Sequence, residues 1–235
     1  MVTDANLELL RTGEITVTGR LVDASNATLF ASIISDVTEG QCIYKPIAGE
    51  RPLWDFPDGP LAHREYAAFL ISEFLGLHIV PPTVLRDGPF GAGMVQLWID
   101  IDEKIDLANF FSQDDPQLRT MALFDAIINN TDRKIGHLLP DKSGHLYGCD
   151  HGVTFHSEYK LRTVLWQWAG DPLLESEILT LKGAISRFPE IVAALKDYLT
   201  AEEIEALKIR ILDLLENGTF PLPNPDWPSI PWPAY

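Results

Sequence analysis

Through roughly the first hundred residues of this chain, apolar side chains alternate with polar ones in short runs; past residue 112 they recur at every third or fourth position. A period of two followed by a period near 3.6 separates strands from helices along the chain. Strands gathered first and helices after them predict an α+β fold of two lobes. Residues 14–21 alternate at Ile15, Val17, Gly19 and Leu21, and residues 28–35 carry Leu29, Phe30, Ile33 and Ile34. The small and polar run 22–27 between them predicts a hairpin. A third strand over 41–46 is stopped by Pro46, and residues 49–60 are rich in Gly, Pro and Asp and predict a loop. Ala67, Leu70, Ile71 and Phe74 then share one helical face over 61–75, with Gly76 as the stop. Two further strands are expected over 79–85 and 93–101.

The second half begins with an apolar helix over 116–130. Two short paired strands, 137–139 and 145–149, flank a turn at 141–144. Helices over 174–188, 190–199 and 201–217 follow, the last opened by Thr200 with Glu203 three residues on. Residues 221–235 hold six prolines and two tryptophans. They must run extended, with Trp227 and Trp232 packed back on the helical half. The expected division is therefore an N-terminal lobe of residues 1–101 and a C-terminal lobe of residues 102–235.

Charge narrows the partners. Eighteen basic residues against 34 acidic ones give a net charge of -16. Phosphate backbones and anionic bilayers repel such a chain unless a local basic patch overrides the total. The longest basic cluster is Asp132-Arg133-Lys134, so neither nucleic acid nor a membrane is an expected partner. Residues 1–11 lack the basic-then-apolar order of a signal peptide. No apolar run approaches the ~20 residues of a membrane span. Two cysteines, Cys42 and Cys149, fit reduced thiols, and the expected location is the cytoplasm.

Four charged residues fall on distinct elements. Lys45 ends the third strand, Glu65 lies early in the helix among the strands, Asp132 follows the apolar helix, and Asp150 follows the second short strand. Phosphoryl transfer needs a cation on the nucleotide phosphates, a carboxylate to hold that cation, a carboxylate to orient the attacking hydroxyl, and a ligand for Mg²⁺. Singly, each has a plainer reading: a solvated strand-end Lys, a Glu65 paired with Arg64, an Asp132 or Asp150 that merely opens a turn. In this order, on these elements, they point to one site. The grouping of His137, His145, His151 and His156 also admits zinc, although structural zinc favours tighter pairs with Cys.

Thr131-Asp132-Arg133 followed by Cys149-Asp150-His151-Gly152 resembles the phosphatidylinositol 3- and 4-kinase superfamily. Residues 64–68 and 75–83 resemble type II phosphatidylinositol 4-kinases and HipA-like kinases. The whole chain, including Gly49-Glu50-Arg51-Pro52-Leu53-Trp54-Asp55-Phe56-Pro57 and Ile230-Pro231-Trp232-Pro233, is similar to an actinobacterial phosphatidylinositol-kinase-like family of unassigned function. This resemblance implies a kinase fold that binds ATP with Mg²⁺ or Mn²⁺. Lys45 would meet the α- and β-phosphates, oriented by Glu65. Asp132 would act on the acceptor, and Asp150 and His137 would hold the metal. His137 stands where protein kinases place Asn, and imidazole suits Mn²⁺ better than Mg²⁺. The hairpin turn lacks the glycine-rich loop, leaving Ser25 and Asn26 to cover the phosphates. Gln96, Leu97 and Trp98 would line the base as a hinge. The acceptor is expected to be a protein hydroxyl first, then a small polyol, then a lipid headgroup. A nucleotide-binding pseudokinase and an AMP-transferring enzyme remain open alternatives.

Overall fold

The computed structural model describes residues 4–21, 26–226 and 228–235. Five antiparallel strands form one sheet in the order β1-β2-β3-β5-β4: β1 Glu14–Arg20, β2 Leu29–Ile34, β3 Glu39–Pro46, β4 Thr83–Gly88 and β5 Gly91–Leu97. The alternation read from the sequence decides which side chains face inward. Ala31, Ile33, Cys42, Tyr44, Val84 and Val95 bury one face of the sheet together with Leu9 and Leu10. The last two belong to a helix that the sequence reading lacks, α1 (Asp4–Thr12). Because Cys42 and Tyr44 face this core, the pleat sends Ile43 and Lys45 to the opposite face.

The expected strand over 79–85 starts late. Pro81 and Pro82 have no N–H to give a ladder, so β4 opens only at Thr83. Ile79 and Val80 instead enter the main core, their amides donating to Ser72 Oγ at 3.0 and 3.3 Å. β5 in turn ends at Leu97, short of the expected Ile101. A Cβ at Gly93 would lie 2.5 Å from the Lys45 carbonyl oxygen, so glycine lets β5 close on the end of β3.

Helix α2 (Leu61–Phe74) has Pro60 before it, and Glu50 satisfies its first amides, accepting from Leu61 and Ala62 at 2.8 Å each. Its Ala67, Ala68, Phe69 and Ile71 join the larger core, which apart from these and Ile79 and Val80 is built from the second half of the chain. There, a short helix α3 (Leu107–Phe110) precedes α4 (Pro116–Ile128), which is capped by Asp115 and ended by Asn129 in the left-handed region at φ +53°. Strands β6 (Leu138–Pro140) and β7 (Leu146–Gly148) pair around the expected turn, where Asp141 Oδ1 accepts from the amides of Ser143 and His145. Helices α5 (Glu175–Ser186), α6 (Phe188–Leu195) and α7 (Ala201–Asn217) close the core. Thr200 and Glu203 form the expected capping box of α7. The tail runs extended, held by the amides of Thr163 and Ile135 donating to the Ser229 and Ala234 carbonyls. Trp232, expected to pack, stands 91% exposed, and Trp227 lies outside the described residues. Among the described residues no helix is long and apolar enough to cross a membrane.

Candidate active site

Lys45 leaves the end of β3 on the face away from the α1 core and meets two carboxylates. Its Nζ lies 2.5 Å from Glu65 Oε1 and 2.9 Å from Asp150 Oδ1. Glu65, buried one turn into α2, turns its other oxygen to the His151 amide at 2.9 Å, so it fastens the Lys45 strand and the Asp150 loop together. Burial works against the Lys45 charge, but Asp150 and Glu65 outweigh it and hold the ammonium above its ordinary range. Lys45 in turn holds Asp150 well below the usual carboxylate range. Burial pushes Glu65 up, against the pull of Lys45. Asp150 sits in the left-handed region at φ +59°, a conformation Asp tolerates, and its side chain stays 52% exposed.

Asp132 lies in the loop that α4 feeds. The left-handed Asn129 ends the helix, and the Asp132 amide donates to Asn130 Oδ1 at 3.0 Å. Its carboxylate is 3.2 Å from Lys134 Nζ and 3.9 Å from Arg162 Nη2. Burial raises its pKa, and Lys134 opposes the rise. His137 closes a turn of 3-10 helix with Nε2 3.5 Å from Asp150 Oδ2, while its Nδ1 accepts from the Lys134 amide at 3.3 Å. Burial lowers its pKa to about 4, so the ring is neutral at pH 7.

Lys45, His137 and Asp150 line a cleft of about 730 Å³ together with Ile43, Gln96 and Trp98, whereas Glu65 and Asp132 are not among its lining residues. Its size suits a nucleotide. For a divalent metal, Asp150 offers an ionised oxygen, and His137 would offer Nε2 only in the tautomer that gives up the Nδ1 bond from the Lys134 amide. No group of three or more His, Cys, Asp or Glu that could hold a metal occurs among the described residues. So sparse a set fits Mg²⁺ or Mn²⁺ carried by nucleotide phosphates, which supply the remaining oxygens, and does not fit a metal caged by protein alone.

Not every expected residue is placed at the cleft. Ser25 lies outside the described residues. Asn26 accepts from the Arg51 amide at 2.9 Å and is not among the lining residues; Arg20, Leu21 and Thr28 line the cleft from this hairpin. Gln96 to Trp98 do line it, with three of their donors engaged elsewhere. Gln96 Nε2 donates to Thr83 Oγ1, and the Leu97 and Trp98 amides donate to the Pro82 and Gln41 carbonyls. The Trp98 ring packs edge-on to Phe30. The lining continues through Ile99, Asp100, Ile101 and Glu103, which the over-long fifth strand concealed. Arg64 does not pair with Glu65; it meets Glu203 at 2.5 Å and the Thr154 and Asp58 carbonyls.

The brace behind the site was also missed. Asp125 and Arg133 are fully buried and paired at 3.0 Å. Asp125 also accepts from Asn130 Nδ2 and Thr163 Oγ1, while Arg133 Nη1 donates to the Cys149 carbonyl at 2.9 Å. One ion pair therefore joins the Asp132 loop to the chain just before Asp150. Its signal in the sequence was an Asp inside the apolar run Leu123-Phe124-Asp125-Ala126-Ile127.

A five-stranded sheet over a helical half, with a strand Lys bound to a helix Glu and to an Asp across a nucleotide-sized cleft, defines a protein of the kinase fold. Solved structures agree on the fold. The Golgi casein kinase superposes with a TM-score of 0.57 at 15% identity, over 92% of this chain and 75% of that one. Its Mn/ADP-bound form gives 0.61 at 15% identity, over 91% and 74%. The Helicobacter pylori proinflammatory kinase CtkA gives 0.53 at 12% identity, over 90% and 94%. No family model matches the chain. The chain belongs to the family of Protein Rv2133c of Mycobacterium tuberculosis, to which it is 42% identical over 263 aligned residues, spanning 97% of this chain and 94% of that protein.

Proposed function

We propose that this protein is an ATP- and divalent-metal-dependent phosphotransferase that modifies a hydroxyl of a protein or small-molecule acceptor in the cytoplasm. The observation that carries the reading is Lys45 held between Glu65 and Asp150 at the wall of the cleft. A Lys so oriented can meet nucleotide phosphates without searching for its rotamer, and preorganised charge is where such reactions gain most of their rate. Asp132 takes the acceptor hydroxyl. Its carboxylate oxygen is the group that orients that hydroxyl and accepts its hydrogen bond, and the burial that raises its pKa makes it a better proton acceptor. Lys134 beside it supplies positive charge toward the transferred group. Asp150 and His137 would hold the metal, which when bound neutralises phosphate charge. The motifs Asp132-Arg133 and Asp150-His151-Gly152 support kinship with phosphatidylinositol-kinase-like proteins. The net charge of -16 supports a soluble acceptor over a bilayer headgroup.

The test is thermal melting with ADP and Mn²⁺ or Mg²⁺, followed by mass spectrometry of the products formed from ATP. Nucleotide at about a hundred times its Kd adds about 2.7 kcal/mol, or roughly 5–10 °C for a chain of this size. A phosphorylated product supports the reading. No melting shift at millimolar nucleotide with either metal, or transfer of AMP alone, overturns it.

A further inference from the structure

Gln96 stands on β5 directly opposite Ile43 of β3 and Thr83 of β4, on the sheet face that carries Lys45. The residue is only 4% exposed, yet it lines the nucleotide cleft. Two hydrogen bonds fix which way its amide points. The Thr83 hydroxyl has one proton, and it donates that proton to the Pro81 carbonyl at 2.7 Å. Thr83 Oγ1 can then only accept, so the end of Gln96 turned toward it at 2.9 Å is the nitrogen. Thr83 is fully buried, and water does not compete for either bond.

This leaves Gln96 Oε1 at the free end of the amide. No described residue donates to it, and it is not shut off from access. The fully buried side-chain atoms without a partner, among the described residues, belong to Arg64, His151, Arg162 and Arg210. Oε1 is therefore a fixed acceptor on a cleft wall whose other members include Ile43, Leu97 and Ile101. Lys45 lies two residues from Ile43 on the same face, about 7 Å along the strand, so one nucleotide can reach both positions. An oxygen that can only accept needs a donor opposite it. The 6-amino group of adenine is one, whereas the 6-oxo group of guanine or hypoxanthine would set oxygen against oxygen and leave both unpaired. We propose that Gln96 Oε1 accepts from the exocyclic amino group of the base, with Thr83 as the positioning residue that makes the cleft select adenine over 6-oxopurines. The proposal rests on the nucleotide reading of the cleft and adds to it the group that chooses the base.

Titration calorimetry of the full chain with Mn²⁺-ADP and with Mn²⁺-IDP tests this, since the two nucleotides differ only at N1 and C6 of the base. ADP should bind at least about ten-fold more tightly than IDP. Gln96→Leu should bring the two within about three-fold by weakening ADP alone. Thr83→Val, which does not touch the base, frees the amide to turn its NH₂ outward and should narrow the gap by strengthening IDP. Each ratio is taken within one protein, so a loss of folded fraction cancels from it. Equal binding of ADP and IDP to the wild type would overturn the proposal while leaving the nucleotide site standing, and so would an undiminished preference in either variant. Binding of neither nucleotide at millimolar concentration would overturn both readings.

Discussion

Asp125→Asn tests the brace behind the site. The wild-type carboxylate accepts from Arg133 Nε and Nη2 at 3.0–3.2 Å, from Asn130 Nδ2 at 2.9 Å and from Thr163 Oγ1 at 3.2 Å. Both members of the ion pair are shut off from water. An asparagine keeps the shape, but it removes the only charge opposing Arg133 in that pair and points an NH₂ at groups that are themselves donors. Breaking a buried pair from one side costs about 3–5 kcal/mol, a fifth or more of the roughly 5–15 kcal/mol that a domain has. With a urea slope near 2 kcal/mol per molar, the unfolding midpoint should fall by about 2 M. Replacing both partners, as Asp125→Leu with Arg133→Met, should cost less than either change alone, because no charge is then stranded. A loss under about 1 kcal/mol for Asp125→Asn would refute this reasoning, since Arg133 would then be finding water or another acceptor. So would a double variant as unstable as the sum of the singles.

The remaining predictions concern roles and pH. Asp132→Asn should leave Mn²⁺-ATP affinity within about two-fold but cut transfer on the order of 10²–10⁴-fold, whereas Asp150→Asn should weaken Mn²⁺-ATP binding itself. Matching Mn²⁺-ATP titrations for the two variants would refute that division of labour. Burial raises the Cys42 thiol from 9.0 to about 11, so its contribution to stability is complete below pH 9 and lost as pH rises to 11. Two units correspond to about 3 kcal/mol, which should appear as a steeper alkaline decline in urea midpoints for the wild type than for Cys42→Ala. Parallel declines would refute it.

How much of this could be read from the sequence depended on where each residue's partner lies. The side that Lys45 faces followed from local alternation, because Cys42 and Tyr44 bury on the α1 face and the pleat fixes their neighbours. Asp132 and Asp150 were legible for a similar reason, each standing just past an element whose apolar pattern is strong. The errors arise where local and tertiary demands diverge. The apolar run Trp98-Ile99-Asp100-Ile101 continues a strand pattern, yet these residues line the cleft and leave the ladder after Leu97. Pro81 and Pro82 delay β4 by a rule that was available, but the burial of Ile79 and Val80 beneath α2 was not visible without the fold. α1 is nine residues long, too short for periodicity to separate it from a loop, and it becomes a helix by covering the sheet. Arg64 and Glu65 make the same point from adjacent positions. One turns to Glu203 on α7 and the other to Lys45 on β3, so their neighbourhood in the chain suggested a pair that the helix forbids. Successive residues on a helix point about 100° apart, and α2 spends that divergence tying the sheet to the helical core through two separate buried ion pairs.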